Sequence, residues 1–310
     1  MIEDNPPLLF VLGPTAVGKT EVALTLAGEL GGEIVSADSM QIYRGMDIGT
    51  AKPSPEERSR VPHHLIDIME ISDMCDVGRF RELAFAAIRD IQARGRCAIV
   101  TGGSGMYVRA LTQGLLEGPG RDAVAREGWE QLESSDLRQH LLLADPDAAA
   151  KIDPKDRRRM VRALEFYAAT GTPISSRQRQ WGKDAVKNAF KNLFYLHRPR
   201  QELYQRSDLR VEKMFRSGWI DEVRTLMERG LEDAPTAAKA IGYREVIMHV
   251  KGRAGKKETI ALIQQKTRNF VKRQLTWFRK EPNLRWLDLE SGETTEHIAA
   301  RIRQEMTRES

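Results

Sequence analysis

The stretch LLFVLGPTAVGKTEVAL, residues 8–24, decides the fold class. Five apolar residues, Leu8 to Leu12, run straight into a glycine-bounded turn. Gly13, Gly18, Lys19 and Thr20 fit the spacing G-x-x-x-x-G-K-[ST], the phosphate-binding loop between a strand and a helix. Glycines let successive backbone N–H groups turn inward, and the helix N-terminus behind them favours an anion. Lys19 adds a compact cation for terminal phosphates, and Thr20 offers a hydroxyl to Mg²⁺. The Thr15 hydroxyl either reaches a phosphate oxygen or is an ordinary polar loop group.

Outward from the loop, residues 19–30 read as a helix closed by Gly31-Gly32, and EIVSA (33–37) as a second strand ending at Asp38. HHLIDI (63–68) is a further strand candidate. Residues 76–94 read as a helix opened by Asp76, and CAIVTGGSG (97–105) as a buried strand running into glycines. This alternation predicts an α/β fold, a phosphate-loop NTPase-like parallel sheet with helices on both faces. Strand signals vanish after EGPGRD (117–122). DAAAKIDPKDRRRMVRALEFYAATGTP reads as helices, NLFYLHRP (192–199) restores a strand, and helices run on to RKEPNLRWLDL. The expected organisation is a core of residues 1–120 and 192–310, interrupted by an all-helical insertion domain over 121–191.

The chain has 310 residues, 49 Lys and Arg against 44 Asp and Glu, and a formal charge of +5, compatible with a polyanionic partner. Two cysteines, Cys75 and Cys97, cannot build a four-cysteine zinc site and suit a reducing compartment. No signal-peptide pattern and no membrane-length apolar run is visible, so a cytoplasmic protein without membrane association is expected.

Three constellations could carry chemistry. The phosphate loop is the first. Asp38, at the carboxyl end of a buried strand, is the second. It could hold Mg²⁺ through water, act as a general base, or close a turn. The third is basic. DRRRMVR carries Arg157, Arg158, Arg159 and Arg162, and KTRNFVKRQLTWFRK (266–280) carries six basic residues, no acidic one, and Phe270, Trp277 and Phe278. Such stretches either follow a nucleic-acid backbone or form solvated helix faces over core aromatics. An absence matters too. A phosphate-loop NTPase usually ends a second strand with an Mg²⁺-holding Asp, whereas CAIVTGGSG ends in Thr101-Gly102-Gly103. No arginine-rich kinase lid is obvious, although the helical insert could serve as one. Adjacent His63 and His64 suit a metal poorly, and Trp219 and Trp286 read as core. A nucleotide kinase and a non-catalytic RNA-binding protein with a nucleotide switch are the competing classes.

Taken together, the sequence closely resembles the tRNA dimethylallyltransferases, also called tRNA isopentenyltransferases, over nearly its whole length. The resemblance rests on GPTAVGKT (13–20), DSMQIYRGMDIGTAKP (38–53), PHHLID (62–67), TGGSGMYVRAL (101–111), RRMVRALE (158–165) and GYRE (242–245). The second and fourth are far more specific than the phosphate loop. The resemblance implies transfer of a dimethylallyl group from dimethylallyl diphosphate to the exocyclic amine of the adenine at tRNA position 37, 3′ to the anticodon. It implies Mg²⁺ as the cofactor and no consumption of ATP. It places the diphosphate on Gly13, Pro14, Thr15, Ala16, Val17, Gly18, Lys19 and Thr20, with Thr15 near the bridging oxygen and Mg²⁺ on Thr20. It makes Asp38 the base and brings Arg206 or Arg210 to the diphosphate. It sets Asp38, Ser39, Met40, Gln41 and Ser104 against the flipped base and its neighbours. Arg126, Arg158, Arg159, Met160, Val161 and Arg162 fall where the family meets the anticodon stem-loop. A bacterial-type enzyme without a zinc finger, and a monomer, are expected.

Overall fold

The structure, a computed structural model, describes residues 7–115, 123–178 and 190–307. These pack as two compact units. The larger comprises Met1–Leu111 with Phe190–Ser310, and the smaller Thr112–Ala189. The boundary at 120/121 expected from sequence lies outside the described residues.

The larger unit is built on a six-stranded sheet: β1 (Leu8–Leu12), β2 (Glu33–Ser36), β3 (His63–His64), β4 (Ala98–Gly102), β5 (Leu193–His197) and β6 (Arg285–Asp288). The spatial order is β3-β2-β4-β1-β5-β6 and every pairing is parallel. Leu9 to Leu12 and Ala98 to Val100 are buried. Helices cover the sheet, so its central strands read as unbroken apolar runs rather than as alternation.

Around the sheet lie α1 (Lys19–Leu30), α2 (Pro55–Arg60), α3 (Val77–Ala93) and α4 (Gly105–Thr112). Gly18 caps α1 in the left-handed region (φ 107°), where a side chain would be strained. Asp76 accepts from Arg79 N at 2.8 Å and opens α3. The smaller unit holds α5 (Ala123–Gln131), α6 (Ser134–Ala144), α7 (Pro146–Lys151) and α8 (Arg157–Thr170) around its own core of Leu137, Leu141, Met160, Leu164 and Phe166. The chain then returns through α9 (Arg200–Arg216), α10 (Trp219–Glu228), α11 (Tyr243–Val250), α12 (Lys256–Phe278) and α13 (Thr295–Thr307).

Several elements depart from the sequence reading. HHLIDI yields only a two-residue strand, because Leu65 and Asp67 take positive φ and turn the chain away. The strand β6 lies where no strand was expected. Trp286 is half-buried against the core and Trp219 fully buried. Among the described residues no helix is long and apolar enough to cross a membrane.

Candidate active site at the carboxyl edge of the sheet

The strand order reverses direction beside β1, and the loops leaving β1, β2 and β4 open on the same edge. Ligands of open parallel sheets bind at such a switch point. There the larger unit encloses a cleft of about 300 Å³. Thr15, Asp38, Ser39, Met40 and Ser104 come from the strand ends. The face of α9 adds Ser207, Arg210, Val211 and Met214; Trp219, Ile241, Ile263 and Phe270 add apolar surface, and Lys239, Thr267 and Arg273 add polar groups beside it.

The cations at the polar end are held in place. Lys19 Nζ donates to Pro14 O at 2.9 Å. Loss of water around the ammonium, with Arg210 nearby, pulls its pKa down to about 7, and Asp38 opposes that fall. Burial likewise lowers Arg210, against the pull of Asp38. Arg206, one turn earlier on α9, donates from Nε to Ala16 O at 2.8 Å. Ala16 has φ 68°, a conformation costing a non-glycine residue about 1–2 kcal/mol. Arg206 therefore braces the loop through Ala16 O, and Arg210 lines the cleft.

The loop after β2 is equally constrained. Asp38 Oδ1 accepts from Met40 N at 2.8 Å, so the carboxylate closes a turn and also lines the cleft. Ser39 N donates to Ser104 Oγ at 3.4 Å, tying this loop to the end of β4. Gln41 is not a cleft residue. Its amide accepts from Ser36 Oγ (2.9 Å) and donates to Thr50 O and Ala51 O (3.4 and 3.3 Å), which folds the following segment back under the site. Lys52 is buried there between Tyr43 O (2.8 Å), Asp47 (2.6 Å) and Asp67 (2.5 Å). Thr101 sits at the strand end where an NTPase carries its acid, and its hydroxyl donates to Val11 O at 3.0 Å.

Two polar residues invisible to motif reading organise this edge. Gln274 of α12 is buried; its Oε1 accepts from Thr15 N (2.9 Å) and its Nε2 donates to Gly103 O (3.0 Å). It joins the phosphate loop to the loop that carries Ser104. Glu222 of α10 accepts from the backbone N–H groups of Asp47 (2.9 Å), Ile48 (2.5 Å) and Gly49 (3.2 Å), and from Tyr243 Oη (2.7 Å). A carboxylate bonded by three N–H groups locks a turn that no side chain within that turn could hold.

A metal fits this edge only in company. Thr20 places a hydroxyl at the head of α1, and β4 brings no carboxylate. Mg²⁺ would take most of its oxygen ligands from the phosphates and water, an arrangement it commonly adopts. Among the described residues no group of three or more His, Cys, Asp or Glu could hold a metal by itself. His63 Nδ1 pairs with Val61 O (2.7 Å) and His64 Nε2 with Glu33 (2.7 Å), both structural contacts.

In the smaller unit the arginines of α8 separate into distinct roles. Arg158 and Arg159 are exposed. Arg157 donates to Ser134 Oγ (3.1 Å), Glu130 O (3.1 Å) and Leu132 O (2.6 Å), fastening α5 to α6. Arg126 pairs with Glu130 (2.6 Å) and Glu165 (3.4 Å), and Arg162 lies 3.9 Å from Glu165. Met160 and Val161 are buried in the unit's core, so their side chains cannot meet a nucleic acid. The helix turns these two inward, so the neighbours of the arginines along the chain are not their neighbours on the surface.

With the geometry in place, comparisons with known proteins decide the family. The model of the IPP transferase family matches residues 41–281. A tRNA dimethylallyltransferase of Citrifermentans bemidjiense is 45% identical over 89% of this chain and 90% of its own. Another, from Trichlorobacter lovleyi, is 43% identical over 96% and 98%. The chain belongs to this family. The crystal structure of a Bacillus halodurans tRNA isopentenylpyrophosphate transferase superposes with a TM-score of 0.71 at 37% identity, covering 97% of both chains. A eukaryotic dimethylallyltransferase acting on tRNA gives 0.76 at 27% identity, covering 91% of this chain and 74% of that one. The family model begins at Gln41, so the phosphate loop and Asp38 lie outside the matched segment.

Proposed function

We propose that this member of the IPP transferase family transfers the dimethylallyl group of dimethylallyl diphosphate to N6 of the adenine at tRNA position 37, 3′-adjacent to the anticodon. The observation that carries the reading is the lining of the cleft. Thr15 of the phosphate loop, Asp38 and Arg210 line its charged part, with Lys19 electrostatically coupled to both charges; Val211, Met214, Trp219, Ile241 and Ile263 give it an apolar stretch, beside which Lys239, Thr267 and Arg273 also line it. A diphosphate bearing a short hydrocarbon matches the charged part and the apolar stretch together.

In the reaction N6 bonds to the allylic C1 as the C1–O bond breaks, its electron pair leaving with the diphosphate. Asp38 takes the N6 proton. An adenine amine is a weak nucleophile because its lone pair is delocalised, and a carboxylate accepting its N–H keeps density on nitrogen as the new bond forms. Lys19, Arg210 and the loop N–H groups meet the charge that grows on the departing diphosphate, so they stabilise the transition state more than the ground state. Mg²⁺ held by Thr20 would add to that neutralisation. Arg206 keeps the strained loop in shape, and Gln41 supports the Asp38 loop from beneath. The adenine must leave its stack to reach the cleft, at roughly a few kcal/mol. The exposed Arg158 and Arg159 suit contacts to the tRNA backbone.

The test incubates purified protein with unmodified tRNA, Mg²⁺ and dimethylallyl diphosphate. The expected result is one prenyl unit on the adenine 3′ to the anticodon, found by mass spectrometry of nuclease digests. An unmodified tRNA together with ATP turnover would instead identify a kinase or ATPase.

A further inference from the structure

We propose that Trp219 determines the length of prenyl chain this enzyme accepts, an inference that rests on the prenyl-donor reading of the cleft. Helix α9 runs beside the cleft as a ruler. At one end Arg206 holds Ala16 O of the phosphate loop. Ser207, Arg210, Val211 and Met214 then line the cleft in turn. At the far end Phe215 meets the Trp219 ring edge-on, with centroids 5.4 Å apart. Arg206 to Phe215 spans roughly 13 Å of helix at about 1.5 Å per residue. A tail leaving a diphosphate on the loop and following this face runs toward the indole.

The indole is an end wall that cannot swing aside. Trp219 is 1% exposed although it lines the cleft. A Cβ at Gly49 would lie 2.2 Å from its Nε1, and one at Gly242 2.2 Å from its Cη2. Only glycine fits on either side. Tyr243 packs edge-on at 5.6 Å. Gly49 is in turn fixed by Glu222, which also bonds Tyr243. A tail longer than five carbons that follows this face meets the packed indole. In a hydrophobic pocket one methylene already discriminates roughly 10- to 200-fold.

The experiment gives wild type, Trp219→Leu and Trp219→Phe an equimolar mixture of dimethylallyl and geranyl diphosphates with unmodified tRNA. The ratio of the two prenylated adenosines is read by mass spectrometry. It is internal to each preparation, so partial unfolding of a variant does not alter it. Trp219→Leu should raise relative geranyl use about tenfold or more, and Trp219→Phe, which keeps an aromatic wall, by a smaller factor in the same direction. Active variants with an unchanged ratio overturn the inference. So does a raised KM for tRNA with the ratio unchanged, which would set the indole against the acceptor base. A wild-type enzyme unable to use dimethylallyl diphosphate would overturn the underlying reading instead.

Discussion

Two regions of this molecule look alike in composition and differ in construction. At the sheet edge Lys19 and Arg210 are half-buried beside a carboxylate, and their charges are tuned by loss of water. On α8 of the smaller unit Arg158 and Arg159 stand in solvent. A cation stripped of water acts strongly on one atom at one place, and salt screens it little. An exposed cation contributes a screened, additive attraction to a polyanion. The first construction suits bond breaking, the second holding a long charged substrate. Mutations in the two should therefore separate rate from affinity.

The largest expected effect is at Asp38. Asp38→Asn keeps the turn to Met40 and removes the proton acceptor, so single-turnover transfer should fall about 10²-fold or more while tRNA affinity and its salt dependence stay put. Next comes Gln274→Leu, which unties Thr15 from Gly103. kcat/KM for dimethylallyl diphosphate should drop on the order of tenfold, and unpaired buried groups should cost about 1–3 kcal/mol in a denaturant titration. A mutant loss confined to KM for tRNA would assign Gln274 to the RNA side.

Lys19 supplies a pH test. Its pKa in the free enzyme is lowered to about 7, and a bound diphosphate favours the charged form. Binding therefore takes up a proton above pH 7, and affinity for the diphosphate should weaken as pH rises from 7 toward 9, by up to about tenfold per unit. Calorimetry at pH 8 in buffers of different ionisation enthalpy measures that uptake directly; heats independent of the buffer would count against it. The smallest functional effect is Arg158→Ala, expected to weaken tRNA several-fold and to lower the salt slope by about one, with no change in donor KM.

Away from both regions, Glu33 controls for stability alone. Hydrogen bonds from Arg94, and then from His64, outweigh its burial and hold its carboxyl at about 2. A depressed acid stabilises the fold above its ordinary range, so this contribution is lost as pH falls from 4.5 toward 2. Glu33→Gln should cost about 1–3 kcal/mol at neutral pH in thermal or denaturant melts and flatten the acid limb.

The sequence shows the loop, Asp38 and the parallel sheet because each is written in contiguous residues: an apolar run, a glycine spacing, a strand end. It hides Gln274 and Glu222, whose partners lie 259 and up to 175 positions away. Gln274 sits within a stretch read for its basic residues, and its amide turns inward from that helix. Trp219 was legible as core, yet its role as a wall emerges only when Gly49 and Gly242 close on it from two other segments. The strand β6 escaped notice because four residues, three of them partly or well exposed, carry little pattern. Met160 and Val161 are the converse case: adjacent to the arginines along the chain, they lie on the buried side of α8.

The most direct test sets Asp38→Asn beside Arg158→Ala and measures single-turnover transfer at saturating tRNA, together with the tRNA dissociation constant, across a salt series. A crossed result is expected: the first variant loses rate at unchanged affinity and slope, and the second loses affinity and slope at nearly unchanged rate. Two variants that lose rate and affinity in the same proportion would contradict it.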